Sequence, residues 1–341
     1  MSGVRKLYLD TSPGERRGVV LLDGCPERLI IERSGEPLRP RTGEVWRGRI
    51  RSLSRAFRGA FVDLGLERDG LMKLEGGHSF SEGAAVEVQV AAEGREDKGA
   101  TLRLIGPAQG APGRLAEAPS LESRLQAFAP DAEIKRSEIA REAADLAEDV
   151  VLATRHMLTR GPILTIERAR GMIAVDTDMT DARATGKGIL EANLVAVRET
   201  ARLVRLKGLG GLLVLDLAGP AREHARLLAA AKEAFAADEP GVVIAGVSRL
   251  GVLEIARPWR ERPLIETLTD RDGRLSARSM AQRLVRELEA EGRADPGARL
   301  VGLAAPDVAE AAGPLVAELG PRFSVAAELG RDRMSTDIRR P

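Results

Sequence analysis

A chain of 341 residues with a single cysteine, Cys25, can form no internal disulfide framework and no cysteine-rich zinc site of its own. Aromatic residues are equally scarce at 3%, so any place where rings gather is informative. Neither sign of charge dominates: 52 Lys and Arg against 51 Asp and Glu leave a formal net charge of +1. That balance excludes a histone-like global attraction to nucleic acid, and any such affinity has to come from local basic faces. No apolar run approaches the roughly 20 residues of a membrane helix, and the N-terminus is charged from Arg5 onward. A membrane is therefore not an expected partner, and the expected location is the cytoplasm. The remaining composition, 43% hydrophobic and 30% charged, is ordinary globular chemistry at a length that suits two or three domains.

Two apolar runs end abruptly in an acid: Gly171-Met172-Ile173-Ala174-Val175-Asp176 and Gly211-Leu212-Leu213-Val214-Leu215-Asp216. Each reads as a strand buried in a parallel or mixed sheet. Between them, residues 187–207 place Leu190, Leu194, Val197, Ala201, Val204 and Leu206 at helical spacing. A strand, helix, strand unit sets its strands parallel and brings their carboxyl ends to one edge, where open α/β folds place ligands. Asp176 and Asp216 are thus expected to be neighbours, with Asp178 as a third oxygen donor. A few hard oxygen ligands with waters retained suit Mg²⁺, or Mn²⁺, rather than zinc. Either aspartate alone is equally an ordinary turn former or helix cap; the pair is what points to a metal.

Residues 45–53, 59–64, 70–73, 85–92 and 99–105 read as five short strands, the count and spacing of an OB-type barrel. Arg47, Arg49 and Arg51 alternate along the first of them, Arg55 and Arg58 follow, and Trp46, Phe57 and Phe61 lie among these cations. Cations that track phosphates beside rings that stack on unpaired bases are what single-stranded RNA binding requires. The bland alternative makes Phe61 barrel core and the arginines a solvated strand face. On the helix between the aspartates, Arg198, Arg202 and Arg205 form a second basic stripe, which either steers a phosphate backbone or is simply solvated. His224, a lone helical histidine, is read as non-catalytic.

Elsewhere the chain opens with a hairpin turning at Asp23-Gly24. Helical segments are expected over 121–128 and 137–157, and a C-terminal part has a helix over 275–291, a strand over 299–304, a helix over 308–319 and a strand over 322–327. Met280, Leu284 and Leu288 share one side of the first of these helices, for self-association or for packing on its own strands.

Several collinear blocks resemble the ribonuclease E/G family. They are Asp176-Thr177-Asp178, Ala182-Arg183-Ala184-Thr185-Gly186, Asn193-Leu194, Ala201-Arg202, Arg205-Leu206, Leu209-Gly210-Gly211 with the strand to Asp216, and Ser248-Arg249-Leu250-Gly251-Val252-Leu253-Glu254-Ile255. Upstream, Gly43-Glu44-Val45-Trp46-Arg47-Gly48-Arg49-Ile50, and Ala60-Phe61-Val62-Asp63-Leu64-Gly65 on to Gly70-Leu71, look like that family's embedded S1 domain. The resemblance implies an α/β fold, a ribonuclease H-like and DNase I-like mixed-sheet core with an inserted S1 barrel and a small C-terminal α/β domain. The implied boundaries are 1–40 for N-terminal strands of the core, 41–106 for the barrel, 113–160 for a reduced helical region, 161–258 for the catalytic core and 262–341 for the C-terminal domain. It also implies that Phe61 and Lys98 contact RNA near the cut.

The implied activity is Mg²⁺-dependent endonucleolytic hydrolysis of single-stranded RNA in processing or decay, leaving 5′-phosphate and 3′-hydroxyl ends. Asp176 and Asp216 would hold the metal, with Asp178, where the family commonly has an amide, orienting water. Trp46, Arg47, Arg49, Arg202 and Arg205 complete the expected RNA contacts. Leu71 stands where the family has a second aromatic. The family's zinc-sharing cysteine pair has no counterpart between Arg257 and Arg274, so no zinc is expected and any homo-oligomer would lack that link. No segment resembles the family's pocket for a 5′-monophosphate. Two other readings stand beside the nuclease: an RNA-binding protein that does not cut, and a metal-dependent enzyme acting on another phosphorylated substrate.

Overall fold

The protein's structure is a computed structural model that describes every residue except 1–2, 75–79, 97, 159–161, 180–185, 220–222, 239 and 341. The block 182–186 therefore lies almost wholly outside the described residues. The described chain is mixed α/β, with four sheets and seven α-helices among the described residues.

The chain opens as a meander of β1 (Arg5–Ser12), β2 (Glu15–Leu22) and β3 (Cys25–Arg33). At Asp23-Gly24 both residues have positive φ, 50° and 85°, the backbone a tight two-residue hairpin needs. The single expected hairpin is corrected to three strands because Pro13-Gly14 also turns the chain: Gly14 takes φ 70°, and Ser12 pairs with Glu15 across it.

Next come β4 (Val45–Ser54), β5 (Gly59–Asp63), β6 (Gly70–Lys73), β7 (Ala85–Ala92), β8 (Thr101–Pro107) and β9 (Gly113–Ala116), in sheet order β5-β6-β8-β7-β4-β9. A further β5–β4 pairing closes the first five into a barrel. Alternate residues, among them Trp46, Ile50, Val62, Met72, Val88 and Leu102, fill its interior.

The chain continues through α1 (Leu121–Gln126), β10 (Ile134–Lys135), which adds a parallel strand beside β1, and α2 (Glu138–Leu152). Then follow β11 (Arg155–Met157), β12 (Pro162–Arg168), β13 (Ile173–Met179), α3 (Gly186–Leu206), β14 (Gly211–Asp216), α4 (His224–Phe235), β15 (Val243–Val247) and β16 (Val252–Arg257). Their sheet has the order β11-β12-β13-β14-β16-β15, and only β13 and β14 run parallel. The last part comprises α5 (Leu264–Leu268), α6 (Ala277–Ala294), β17 (Leu300–Ala304), α7 (Pro306–Glu318), β18 (Phe323–Ala327) and β19 (Asp337–Arg339), with strand order β18-β17-β19.

One apolar core runs through Tyr8 and Val19 of the meander, Ala144 of α2, Val197 of α3, Leu213 of β14 and Leu284 and Val308 of the C-terminal helices. Met280, Leu284 and Leu288 are buried within it, so that face of α6 is used inside the chain. Buried ion pairs bind the same parts together. Arg17 on β2 meets Asp10 at 2.6 Å and Glu148 of α2 at 3.2 Å, and Arg286 of α6 meets Glu15 and Glu148. Guanidinium groups removed from water this way are tolerated only because each is paired.

Candidate nucleic-acid cleavage site

The crossover helix α3 makes β13 and β14 parallel neighbours, and their register sets Ile173 beside Leu213, Val175 beside Leu215 and Asp176 beside Asp216. Strand alternation then sorts the side chains. Ile173, Val175, Leu213 and Leu215 are buried in the core that includes α3, while Ala174, Asp176, Leu212 and Asp216 are exposed on the other face. Two carboxylates thus stand side by side on an open sheet face, about 4.8 Å apart at the backbone by the ordinary strand spacing. Asp178 is exposed on the same face, two residues further along β13.

Electrostatics follows from this crowding. Partial burial, then the Asp178 and Asp216 charges, raises the Asp176 pKa above the usual aspartate value. Mutual repulsion of this kind is relieved by a divalent cation, and hard carboxylate oxygens are the donors that Mg²⁺ or Mn²⁺ accepts, so the donor chemistry fits. The fit is that of two acids with waters. Among the described residues no three His, Cys, Asp or Glu side chains gather closely enough to hold a metal, so Asp178 does not complete a ready-made cage.

Asn193 of α3 sets the position of the chain just past Asp216. Its buried side-chain amide accepts from the Ala218 N–H at 2.9 Å and donates to the Ala218 carbonyl at 3.1 Å, replacing the strand partner the backbone lacks there. Sequence reasoning assigned Asn193 no role. The signal was a polar residue set into the apolar face of an amphipathic helix. Two more residues reach the acid face from β16: Val252 pairs with Asp216, and Glu254 pairs with Val214 and is exposed. Arg249 is also exposed, and His224 opens α4 at the surface.

The other expected contacts divide. Phe61 is half-buried and meets Phe57 edge to face, ring centres 6.1 Å apart, with Phe57 60% exposed. Leu71 lies opposite Phe61 in the ladder. Arg49 is exposed and donates to the Gly83 carbonyl, Arg47 is half-buried, and Lys98 is exposed. Trp46 is corrected: it is 1% exposed and its indole N–H donates to Glu44 at 2.8 Å, so its ring is barrel core and offers no face to a base. Arg205 is corrected as well, because it is buried and donates to Asp238 at 2.7 Å. Arg202 is held by Glu199 and the Pro26 carbonyl. Both belong to the helix on the buried side of the sheet, away from the carboxylates. Lys207, beyond them, donates to the Val150, Val151 and Ala153 carbonyls at the end of α2.

One seam between the barrel and this core is built around Trp259. Arg95 and Arg168 lie 4.2 and 5.5 Å from the ring centre of Trp259, and Arg168 bridges Glu96 of the barrel at 2.6 Å and Glu266 of α5 at 2.7 Å. Beside the seam runs a cleft of ≈ 1410 Å³ lined by Arg68, Lys98, Arg124 and Arg168 among others. The carboxylates lie outside it on their open face, a setting that admits a polymer from the side.

Residues 117–260, which include β13, α3, β14 and β16, match the ribonuclease E/G family. A chloroplastic ribonuclease E/G-like protein of Arabidopsis thaliana is 33% identical over 122 residues, 34% of this chain and 12% of that relative. Ribonuclease E of Escherichia coli (strain K12) is 35% identical over 107 residues, 29% of this chain and 10% of the relative. Ribonuclease E of Haemophilus influenzae is 33% identical over 107 residues, 29% of this chain and 11% of the relative. Each alignment thus spans only a small fraction of the relative's own length. Residues 117–260, the stretch that sets Asp176 beside Asp216, are thus similar to the ribonuclease E/G family.

Proposed function

We propose that the protein is a Mg²⁺-dependent endoribonuclease that hydrolyses single-stranded RNA to 5′-phosphate and 3′-hydroxyl ends, in RNA processing or decay in the cytoplasm. The observation that carries the proposal is the in-register pair Asp176 and Asp216 on an open sheet face. These two carboxylates would hold the cation, Mg²⁺ or Mn²⁺. When bound, it stabilises the charge of an in-line transition state and lowers the pKa of a coordinated water. Asp178, exposed two residues further along the strand, would orient that water or complete the shell.

The closed barrel is read as the S1-type module that the sequence resembles. Phe61 and Phe57 offer ring surface to unstacked bases, and Arg47, Arg49 and Lys98 hold the phosphates. Arg202 and Arg205 are left out, since their charges are already satisfied within the core.

The test is incubation of a 5′-labelled AU-rich single strand with and without Mg²⁺, comparing the wild type with Asp176→Asn and Asp216→Asn. Mg²⁺-dependent scission lost in both variants supports the reading; equal cleavage by the variants removes the pair from the mechanism. A second reading, RNA binding without scission, is favoured by the lack of a gathered three-acid cluster among the described residues. Binding by the wild type with no Mg²⁺-dependent cutting would establish it.

A further inference from the structure

The turn joining β15 to β16 belongs to the same sheet edge as the acid pair. Asp216 pairs with Val252, so the turn residues Ser248, Arg249, Leu250 and Gly251 continue past the carboxylates, with Leu250 two residues from that pair along the chain. The turn is firmly built. The Ser248 N–H donates to the Val252 carbonyl at 2.8 Å, the Gly251 N–H donates to the Ser248 carbonyl at 3.1 Å, and the Ser248 hydroxyl oxygen accepts from the Leu250 and Val252 N–H groups at 3.3 Å each. Gly251 supplies the positive φ, 87°, that closes it. A bulge between Ile244 and Gly246 adds twist to the hairpin behind it, the kind of irregularity that re-aims side chains beside active sites.

At the tip of this stiff turn Leu250 is 89% exposed, and Arg249 beside it is exposed too. The braced turn holds a large aliphatic side chain in water beside the acid pair. A nucleic-acid substrate would give it a contact, because cutting a strand at one linkage is helped when the two flanking bases are unstacked, and inserted aliphatic side chains unstack the base steps of duplexes. The adjacent guanidinium matches the flanking phosphate in charge.

We propose that Leu250 is the wedge that parts the two bases flanking the scissile phosphate, with Arg249 holding a neighbouring phosphate. The inference rests on the nuclease reading, which supplies the strand, and it adds that the enzyme engages bases beside the cut as well as on the barrel. Leu250 acts by positioning; it takes no part in proton transfer or metal binding.

The experiment uses the full chain, a 5′-labelled AU-rich single strand, and the same strand with an abasic ribose on the 3′ side of the mapped cut. Leu250→Ala is expected to fold as the wild type does and to lower kcat/KM on the intact strand about tenfold, the scale of one lost base contact. Leu250→Met should restore most of it. On the abasic strand wild type and Leu250→Ala should cleave equally, since the base to be parted is gone. Wild-type rates by Leu250→Ala on the intact strand would overturn the wedge and leave the nuclease standing. An equal loss on both strands would overturn it too, by showing a structural effect. A wild type that cuts neither strand with Mg²⁺ would remove the nuclease reading and the wedge together.

Discussion

The Arg95 guanidinium lies 4.2 Å from the centre of the Trp259 ring, so a barrel loop rests on the chain just past β16. The ring also fills space that two glycines leave open: a Cβ on Gly210 would come 2.9 Å from the Trp259 backbone, and one on Gly211 would come 3.2 Å from its indole nitrogen. Barrel and sheet therefore meet at Trp259, beside the Glu93 and Arg260 backbone pairing.

Trp259→Ala is expected to loosen this seam without touching the acids. The loss of ring packing and of two cation–π contacts should cost about 2 kcal/mol, and freedom of the barrel relative to the core should raise KM for RNA more than it lowers kcat. Hydrogen exchange at residues 93–99 checks the first part, and steady-state cleavage checks the second. Unchanged exchange there would mean that the seam is held elsewhere.

Asn193→Ala should harm activity beyond its effect on the fold. The buried amide satisfies both polar groups of the Ala218 backbone, and leaving them unpaired costs about 2–3 kcal/mol. The chain that moves to regain partners is the one that follows Asp216 directly. Urea unfolding should show that loss, and cleavage by the molecules that remain folded should fall at least tenfold, ~1.4 kcal/mol of lost transition-state stabilisation. Asn193→Asp should be worse, because a carboxylate would face the Ala218 carbonyl oxygen.

How much of this was legible in the chain depends on how far apart the partners lie. The strands that carry Asp176 and Asp216 and the helix between them could be read because the apolar period, the abrupt acids and the crossover are all local, although the first strand runs on past Asp176 to Met179. The barrel strands were legible for the same reason. Period-two alternation on β4 also puts Trp46 out of phase with Arg47, Arg49 and Arg51, and therefore inside the barrel. Nearness along the chain sets Trp46 among the cations, and the strand geometry turns it to the opposite face. Arg205 could not be placed, since its partners Glu27 and Asp238 lie far away in sequence and make an apparent surface stripe part of the core. The C-terminal helix is a like case: its apolar side finds Gly302 on β17 and the common core only once the chain has folded.

His156 gives the fold an acid limit. Burial first, then the Lys207 and Arg202 cations, pushes its pKa down to about 4, whereas the unfolded chain titrates near the ordinary value of 6.5. A depressed folded pKa means that the unfolded state takes up the proton first. The stabilisation from keeping this ring neutral is present above pH 6.5 and is lost as pH falls toward 4. Discounted for partial exposure, the loss is about 1–2 kcal/mol. Urea midpoints of the wild type should drop across that window, and those of His156→Leu should drop less; parallel curves would discharge His156 from the role.

Asp176→Asn should make the metal-free protein slightly more stable while abolishing cutting. The Asp176 pKa is raised, chiefly by burial and then by the charges of Asp178 and Asp216, so the folded chain binds that proton more readily than the unfolded one. By linkage, the advantage of the protonated form is full below the unfolded pKa and is lost as pH rises through the folded value. At neutral pH the ionised side chain is therefore a cost to the fold, and a neutral amide of the same shape removes it. Because Asp176 is exposed, the gain is small, a rise in Tm of about 1–2 °C in the presence of EDTA. Adding Mg²⁺ should reverse the order, raising the Tm of the wild type through binding to the folded state and leaving that of Asp176→Asn where it was. A wild type whose Tm ignores Mg²⁺ at millimolar concentration would mean that these acids do not bind it in the free enzyme. A fall in Tm for Asp176→Asn in EDTA would mean that the carboxylate serves the fold, and that the crowding of like charges beside Asp216 is balanced within the chain itself.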